Sequence, residues 1–274
     1  MNCFAICAGF ITVAHVISLS GTMNVLAITH LDDSLFVTRV SVAQVSVYDT
    51  KSFQLMRQIT FAGLSDRLFG LATSLVNHYL YIADYLNMCV HRVDLSATYN
   101  ISLKFLNLSA SPYDVSMTST SSVLVLTDDN SISEYTPAGS LVRKVFYTNP
   151  SWYAMELSTN LWVFSNRGSV NGVVAISTNG TVTRSFVSAP GSGQTQMNDV
   201  RSFAIDSNGY ILAADRGNNR IQVVNPTMTA VRQLTLTLTD LQCPIAIDID
   251  QSHGRLYIGE DCGQQRVLVF DGFP

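Results

Sequence analysis

Ile211-Leu-Ala-Ala-Asp215 is an apolar run of strand length. A polar turn, Arg216-Gly-Asn-Asn219, follows it, and a second apolar run, Ile221-Gln-Val-Val, follows the turn. The pattern reads as strand, tight turn, strand. Weaker copies begin at Leu35, Leu80, Val123, Leu161 and Leu256, so that the six copies are spaced by 45, 43, 38, 50 and 45 residues. A period of about 44 residues matches the four strands per blade of a β-propeller.

Each copy expands into a four-stranded meander. In the fifth, residues 202–206 are expected to form the inner strand, 211–215 the second, 221–225 the third and 231–237 the outermost. Alternating apolar and polar residues in the outer strands suit a half-exposed edge, whereas the inner strands are small and apolar. Ala27, Ala72, Ala204 and Ala246 fall in inner strands, where blades crowd around a central channel and bulk would clash. The expected fold is therefore all-β, a six-bladed propeller with four antiparallel strands per blade. The sixth copy stops after its third strand, and residues 14–19 are placed to supply the missing fourth. Such closure joins the last blade to the first and removes an open edge. The division expected is an apolar N-terminal segment, residues 1–12, and one propeller domain, residues 13–274. The N-terminal run also has the apolar character of a signal peptide, but no Lys or Arg precedes Arg39 to give it a basic flank.

The turn Asp215-Arg216-Gly217-Asn218-Asn219-Arg220-Ile221 resembles the signature turn of NHL-repeat propellers. Partial copies run from Tyr81 through Asp84 and Asn87 to Val90, and from Tyr257 to Val267. The first, third and fourth copies have lost the signature; Arg39 stands in the Asp place of the first. The resemblance implies the fold and leaves the activity open.

Only 13% of the 274 residues are charged and the net charge is −4, which argues against a nucleic-acid face, because phosphate binding needs clustered Lys and Arg. Five Cys residues include no Cys-x-x-Cys spacing of a zinc site. A hairpin turn at 251–254 would pair Asp250 with Arg255, and the same register brings Cys243 opposite Cys262 as a disulfide candidate. The alternative is two buried thiols, and Cys89 reads as a packed core thiol. Sequons stand at Asn100, Asn107 and Asn179, in outer strands or the turns that lead into them. Together with the disulfide candidate and the apolar N-terminus, they lean towards a secreted or extracellular-facing glycoprotein, with a cytoplasmic location as the alternative.

The turns after the second strands all open on one face of the disc. Asp215 and Arg220 are read as serving the turn itself. Arg39, Asp84, Asp128, Asp129, Arg167, Arg216 and Asp261 are the candidates for meeting a ligand on that face. His30, His78 and His253 fall in first-hairpin turns on the opposite face, too far apart to share a metal. Trp152, Tyr153, Trp162 and Tyr147 form either an aromatic platform or interblade packing. No cofactor or metal is expected, and no Ser-His-Asp order, phosphate loop or His-Glu-x-x-His segment occurs. The leading reading is a non-catalytic, monomeric interaction propeller for a protein, peptide or glycan partner, with no nucleic acid and no stable membrane span. The alternative is a metal-assisted extracellular enzyme resembling propeller lyases or lactonases.

Overall fold

A computed structural model describes residues 11–19, 24–96, 102–149, 151–166, 168–238 and 240–273. Strand β1 (Val13–Ser18) comes first. Blade one then holds β2 (Val25–Leu31), β3 (Ser34–Arg39), β4 (Val45–Asp49) and β5 (Leu55–Ile59). Blade two holds β6 (Leu68–Ser74), β7 (Tyr79–Asp84), β8 (Cys89–Asp94) and β9 (Ser102–Asn107). Blade three is β10 (Pro112–Met117), β11 (Val123–Thr127), β12 (Ser131–Tyr135) and β13 (Leu141–Phe146). Blade four is β14 (Ala154–Ser158), β15 (Leu161–Asn166), β16 (Asn171–Ser177) and β17 (Val182–Ser188). Blade five is β18 (Val200–Ile205), β19 (Ile211–Asp215), β20 (Arg220–Val224) and β21 (Val231–Gln233). Blade six is β22 (Pro244–Asp250), β23 (Arg255–Glu260) and β24 (Arg266–Asp271), with β1 as its outer strand. Among the described residues these make six four-stranded antiparallel sheets, and the chain is a six-bladed β-propeller.

The second and third strands are buried on both faces because blades pack face to face. Hence they read as nearly unbroken apolar runs, such as Leu80-Tyr-Ile-Ala in β7 and Ile211-Leu-Ala-Ala in β19. The outer strands β5, β13 and β17 have one wet face and alternate or turn polar. Each wedge between blades is an apolar cluster. Phe36, Val45 and Val47 of blade one, for example, meet Leu71, Leu80 and Ile82 of blade two. Polar staples cross the same wedges: Thr73 Oγ1 donates to the His30 carbonyl at 2.6 Å, and Ser116 Oγ to the Ala154 carbonyl at 2.8 Å.

The ring is closed by β1, which pairs antiparallel with β24 from Val13↔Phe270 to Ser18↔Arg266. Ile17 and Leu19 enter the cluster that Tyr257 and Val267 of blade six share with Val25 and Leu35 of blade one. Blade five differs from the sequence expectation of an outer strand through residue 237. Its β21 ends at Gln233, and the chain beyond departs to form a parallel bridge between Leu236 and Ile11. That segment thus braces the approach to the closing strand instead of completing its own blade.

Five of the six inner strands carry the same irregularity. The register to the second strand shifts between Val25 and Ala27, Leu68 and Gly70, Pro112 and Asp114, Val200 and Phe203, and Pro244 and Ala246. A bulge of this kind leaves a residue unpaired and re-aims its side chain. The residues that the ladder register skips are Leu26, Phe69, Tyr113, Ile245 and Arg201–Ser202, and all of them line the mouth of the central channel. In blade four the shift lies at the far end of the inner strand, between Glu156 and Ser158. There Trp152 and Tyr153, just before β14, fill the equivalent place.

Candidate functional site

The end of each second strand faces the loop that leads into its own inner strand. A carboxylate at that end can accept the loop's backbone N–H groups, and three blades use it so. Asp215 accepts the Asn198 N–H at 2.6 Å and holds Arg220 Nε at 2.8 Å. Arg220 in turn donates to the carbonyls of Gly193 and Gln196. Glu260 repeats the arrangement, accepting the Gln242 N–H at 2.9 Å and Arg266 Nε at 2.8 Å. In blade two Asp84 accepts the Ser65 N–H at 3.0 Å, but no Arg follows; His91 Nε2 lies 3.1 Å from its Oδ2 instead. All three carboxylates are fully buried. Burial alone would raise Asp84, but bonds from His91, Ser65 and Asn87 outweigh it and hold the carboxyl well below the usual carboxylate range. Beside it, burial and the Asp84 charge push the Cys89 thiol up to about 11.

The remaining residues singled out from sequence go to different places. Arg39 is buried at the end of β3, and its charge acts on Tyr48. Asp128 is exposed and accepts the Ser111 N–H at 3.0 Å. Asp129 takes bonds from Thr127, Ser131 and Lys144; burial works against them, yet they hold it down at about 2. Arg167 and Asn100 lie outside the described residues. Arg216 and Asp261 meet. The Arg216 Nε donates to Asp261 Oδ2 at 2.7 Å across blades five and six, while its Nη1 bonds Asp199 at 3.0 Å.

Asp261 of that pair lines the channel mouth, a cavity of about 160 Å³. Arg201, 2.9 Å from Asp199, extends the ionic row and stacks its guanidinium 4.3 Å over the Trp152 ring. From Trp152 the wall turns aromatic. Trp152 meets Tyr113 edge to face at 4.6 Å, Tyr113 stacks on Tyr85 at 5.3 Å, and Phe69 touches both tyrosines. All four rings are half-buried, each with part of its surface open. Blades two to four thus supply an aromatic half and blades five and six a charged half. The charged half is neutral in sum, Arg201 and Arg216 against Asp199 and Asp261. Tyr153 closes the floor; burial, with Asp114 and Asp248 nearby, keeps its phenol protonated well above the ordinary tyrosine value. No His or Cys lines this mouth among the described residues.

Phe69, Tyr85, Tyr113, Asp199 and Arg201 were not among the residues the sequence pointed to. Of the aromatic residues that were, Trp152 and Tyr153 reach the mouth, whereas Trp162 is 1% exposed and Tyr147 packs on Phe164. The histidines of the opposite face are matched with acids rather than with one another. His30 Nδ1 lies 2.6 Å from Asp248, His253 2.7 Å from Asp250 and His78 3.6 Å from Asp32. His30 sits within β2 rather than in the hairpin turn expected of it.

Cys243 and Cys262 form a disulfide with Cα atoms 5.5 Å apart. The bulge at Ile245 moves the register by one, so that Pro244 opposes Glu260 and the expected direct opposition is lost. The bridge forms because both cysteines lie just beyond the paired residues, with Cys243 in the left-handed region at φ 43°. It anchors Asp261 beside the mouth. Among the described residues no helix is long and apolar enough to cross a membrane.

No protein-family profile matches the chain, and no curated protein is significantly similar to it. Among solved structures, hydrazine synthase from Kuenenia stuttgartiensis is similar at a TM-score of 0.67 and 16% identity, over 92% of this chain and 78% of that one. At that identity the likeness is one of fold.

Proposed function

We propose that the protein is a non-catalytic, NHL-like binding propeller whose ligand is a glycan, held by one sugar ring at the channel mouth. The observation that carries this reading is the set of inner-strand bulges, which aim a side chain from successive blades at one point on the axis. Cavities of roughly 150 Å³ accept a benzene ring, so a mouth of about 160 Å³ has room for one ring of a larger partner. Half-open Trp and Tyr faces suit the apolar face of a sugar. The opposite wall, with its Arg and Asp charges already paired, suits hydroxyl groups better than a charged ligand. Acid–base chemistry lacks an obvious agent there, since the Asp261 carboxylate is tied to Arg216.

The disulfide fits an oxidising compartment, and the exposed sequon residues Asn107 and Asn179 are open to modification. On this reading the chain faces the extracellular side, as one propeller domain. The test is a glycan array followed by calorimetry on the best binder. Trp152→Ala is expected to weaken binding at least about tenfold, the scale of one lost aromatic contact, while Asp129→Asn on the rim leaves it unchanged. A preference for peptides with an aromatic residue, abolished by the same Trp152→Ala, would replace the glycan by a peptide. Binding untouched by Trp152→Ala would overturn the site.

A further inference from the structure

Blade two departs from its sister blades at one position. Where β20 begins with Arg220 and β24 with Arg266, each gripping its carboxylate, β8 begins with Cys89. Two residues on stands His91, where β20 has Gln222 and β24 has Leu268. An organic cation has thus been replaced by a thiol and an imidazole, the two side chains most suited to a borderline-soft metal. Residues i and i+2 of a strand point to one face, so Cys89 and His91 share a face, and Asp84 lies directly opposite Cys89 on β7. The three ligand atoms lie within 4.8 Å of one another, all of them on buried residues.

We propose that Asp84, Cys89 and His91 form a zinc site. The two separations made by His91 Nε2 are close to the edges of a coordination tetrahedron. With metal bonds of about 2.0 Å to oxygen and nitrogen and about 2.3 Å to sulfur, tetrahedral edges come to about 3.3 Å for O···N and about 3.6 Å for N···S. The observed separations are 3.1 Å from Asp84 Oδ2 to His91 Nε2 and 3.4 Å from Cys89 Sγ to His91 Nε2. Both separations made by His91 are thus within a few tenths of an ångström of a tetrahedral edge, and the third, from Asp84 to Cys89, is within 4.8 Å. The Asp84 carboxylate also has outer hydrogen-bond partners of the kind that orient metal ligands. Ser65 Oγ and the Asn87 N–H hold Asp84 Oδ1, and Phe61 sets its ring edge-on to His91 at 4.9 Å. His91 lines a cavity together with Phe61, Gly63, Asn87 and Lys104, which offers the ion a route in and room for water as a fourth ligand. Lys104 is exposed, so its charge is screened by solvent. Binding releases the thiol proton to solvent and involves no redox step.

The test is titration of the chelator-treated full chain with Co²⁺, which reports thiolate ligation by a charge-transfer band in the near ultraviolet. One equivalent per chain is expected, displaced by Zn²⁺, and saturating Zn²⁺ should raise the melting temperature. Cys89→Ser should abolish the band and, with His91→Gln, weaken metal binding at least about 100-fold, folding being checked by circular dichroism. Should Cys89→Ser not fold, His91→Gln alone decides. If His91 merely stands in for the missing Arg as a partner of Asp84, the unaltered chain will show no band and no metal-dependent melting shift. That result, or a band that survives Cys89→Ser, overturns the site. Neither readout depends on a ligand at the channel mouth.

Discussion

Asp114 is a carboxylic acid sealed between blades three and four. It is 1% exposed, its Oδ2 accepts the Ala154 N–H at 3.1 Å, and its Oδ1 is without a hydrogen-bond partner. Burial outweighs the backbone N–H groups of Ala154 and Val115 and raises its carboxyl well above the ordinary value of 3.8. The folded protein therefore keeps a proton that the unfolded chain releases, and this group's contribution to stability falls as pH rises above 3.8. Asp114→Asn supplies a neutral group of the same shape. It should leave stability unchanged at acid pH and equal or exceed the parent at pH 7, by up to about 2 kcal/mol, in urea unfolding at the two pH values. Greater loss at pH 7 than at pH 4 would refute a protonated Asp114. His30 acts in the same sense in a higher pH window. Burial lowers it, but Asp248, with help from Asp250 and Asp32, overcomes burial and raises it above 6.5. Its contribution is fully present below pH 6.5 and fades as pH climbs through the raised folded value. In His30→Gln the urea midpoint should lose that alkaline decline; an unchanged profile would count against the His30–Asp248 pair.

At the scale of the element, the recurrent bulge at the start of the inner strands decides both packing and site. Gly70, next to the bulged Phe69, lets β6 and β10 approach closely. A Cβ there would stand 2.6 Å from the Val115 nitrogen and 2.7 Å from the Asp114 Cα, both rigid backbone. Gly70→Ala should cost about 1–3 kcal/mol, the usual range for overpacking, and should also misplace Phe69 at the mouth. A thermal melt within 1 °C of the parent would show that the strands can part without penalty. The second strands were legible in the sequence because burial on both faces leaves an apolar run with no competing pattern, as at Leu35, Leu80 and Ile211. The bulges were not. A bulge adds one residue to a spacing that already varies from 38 to 50 between copies, so Phe69 and Tyr113 look like ordinary core aromatics. The cluster of Asp84, Cys89 and His91 was hidden for a different reason. It combines an i, i+2 spacing with a partner across the ladder, which becomes a proximity only once the β7–β8 register is known. The start of His30 in a strand and the early end of β21 depend on neighbouring blades, and no local pattern announces them.

For the whole molecule, a propeller has no edge only if its first and last strands meet. Two devices hold blade six. One is the Cys243–Cys262 bridge, 19 residues apart in sequence, whose loss by Cys243→Ser should cost about 3 kcal/mol on the chain-entropy account. The comparison is a melt with and without reductant, and no shift would show that the bridge adds nothing to the folded ring. The other is β1. A chain starting at residue 11 keeps every pairing of β1 with β24 and the bridge from Ile11 to Leu236, and is the reference for the comparison. A chain starting at residue 20 loses that ladder and the burial of Ile11, Ile17 and Leu19, each worth about 1.5–3 kcal/mol. It also bares the edge of β24, a strand with five buried residues in six. The expected result is a melting temperature lowered by about 10 °C or more, with self-association by size-exclusion chromatography as open edges of two chains pair. Adding the synthetic peptide of residues 11–19 should restore both the melt and the monomer, because that peptide supplies the missing strand and its three core side chains. A shortened chain that stays monomeric and melts like its parent would mean that the wedge between blades six and one is held by the inner strands alone.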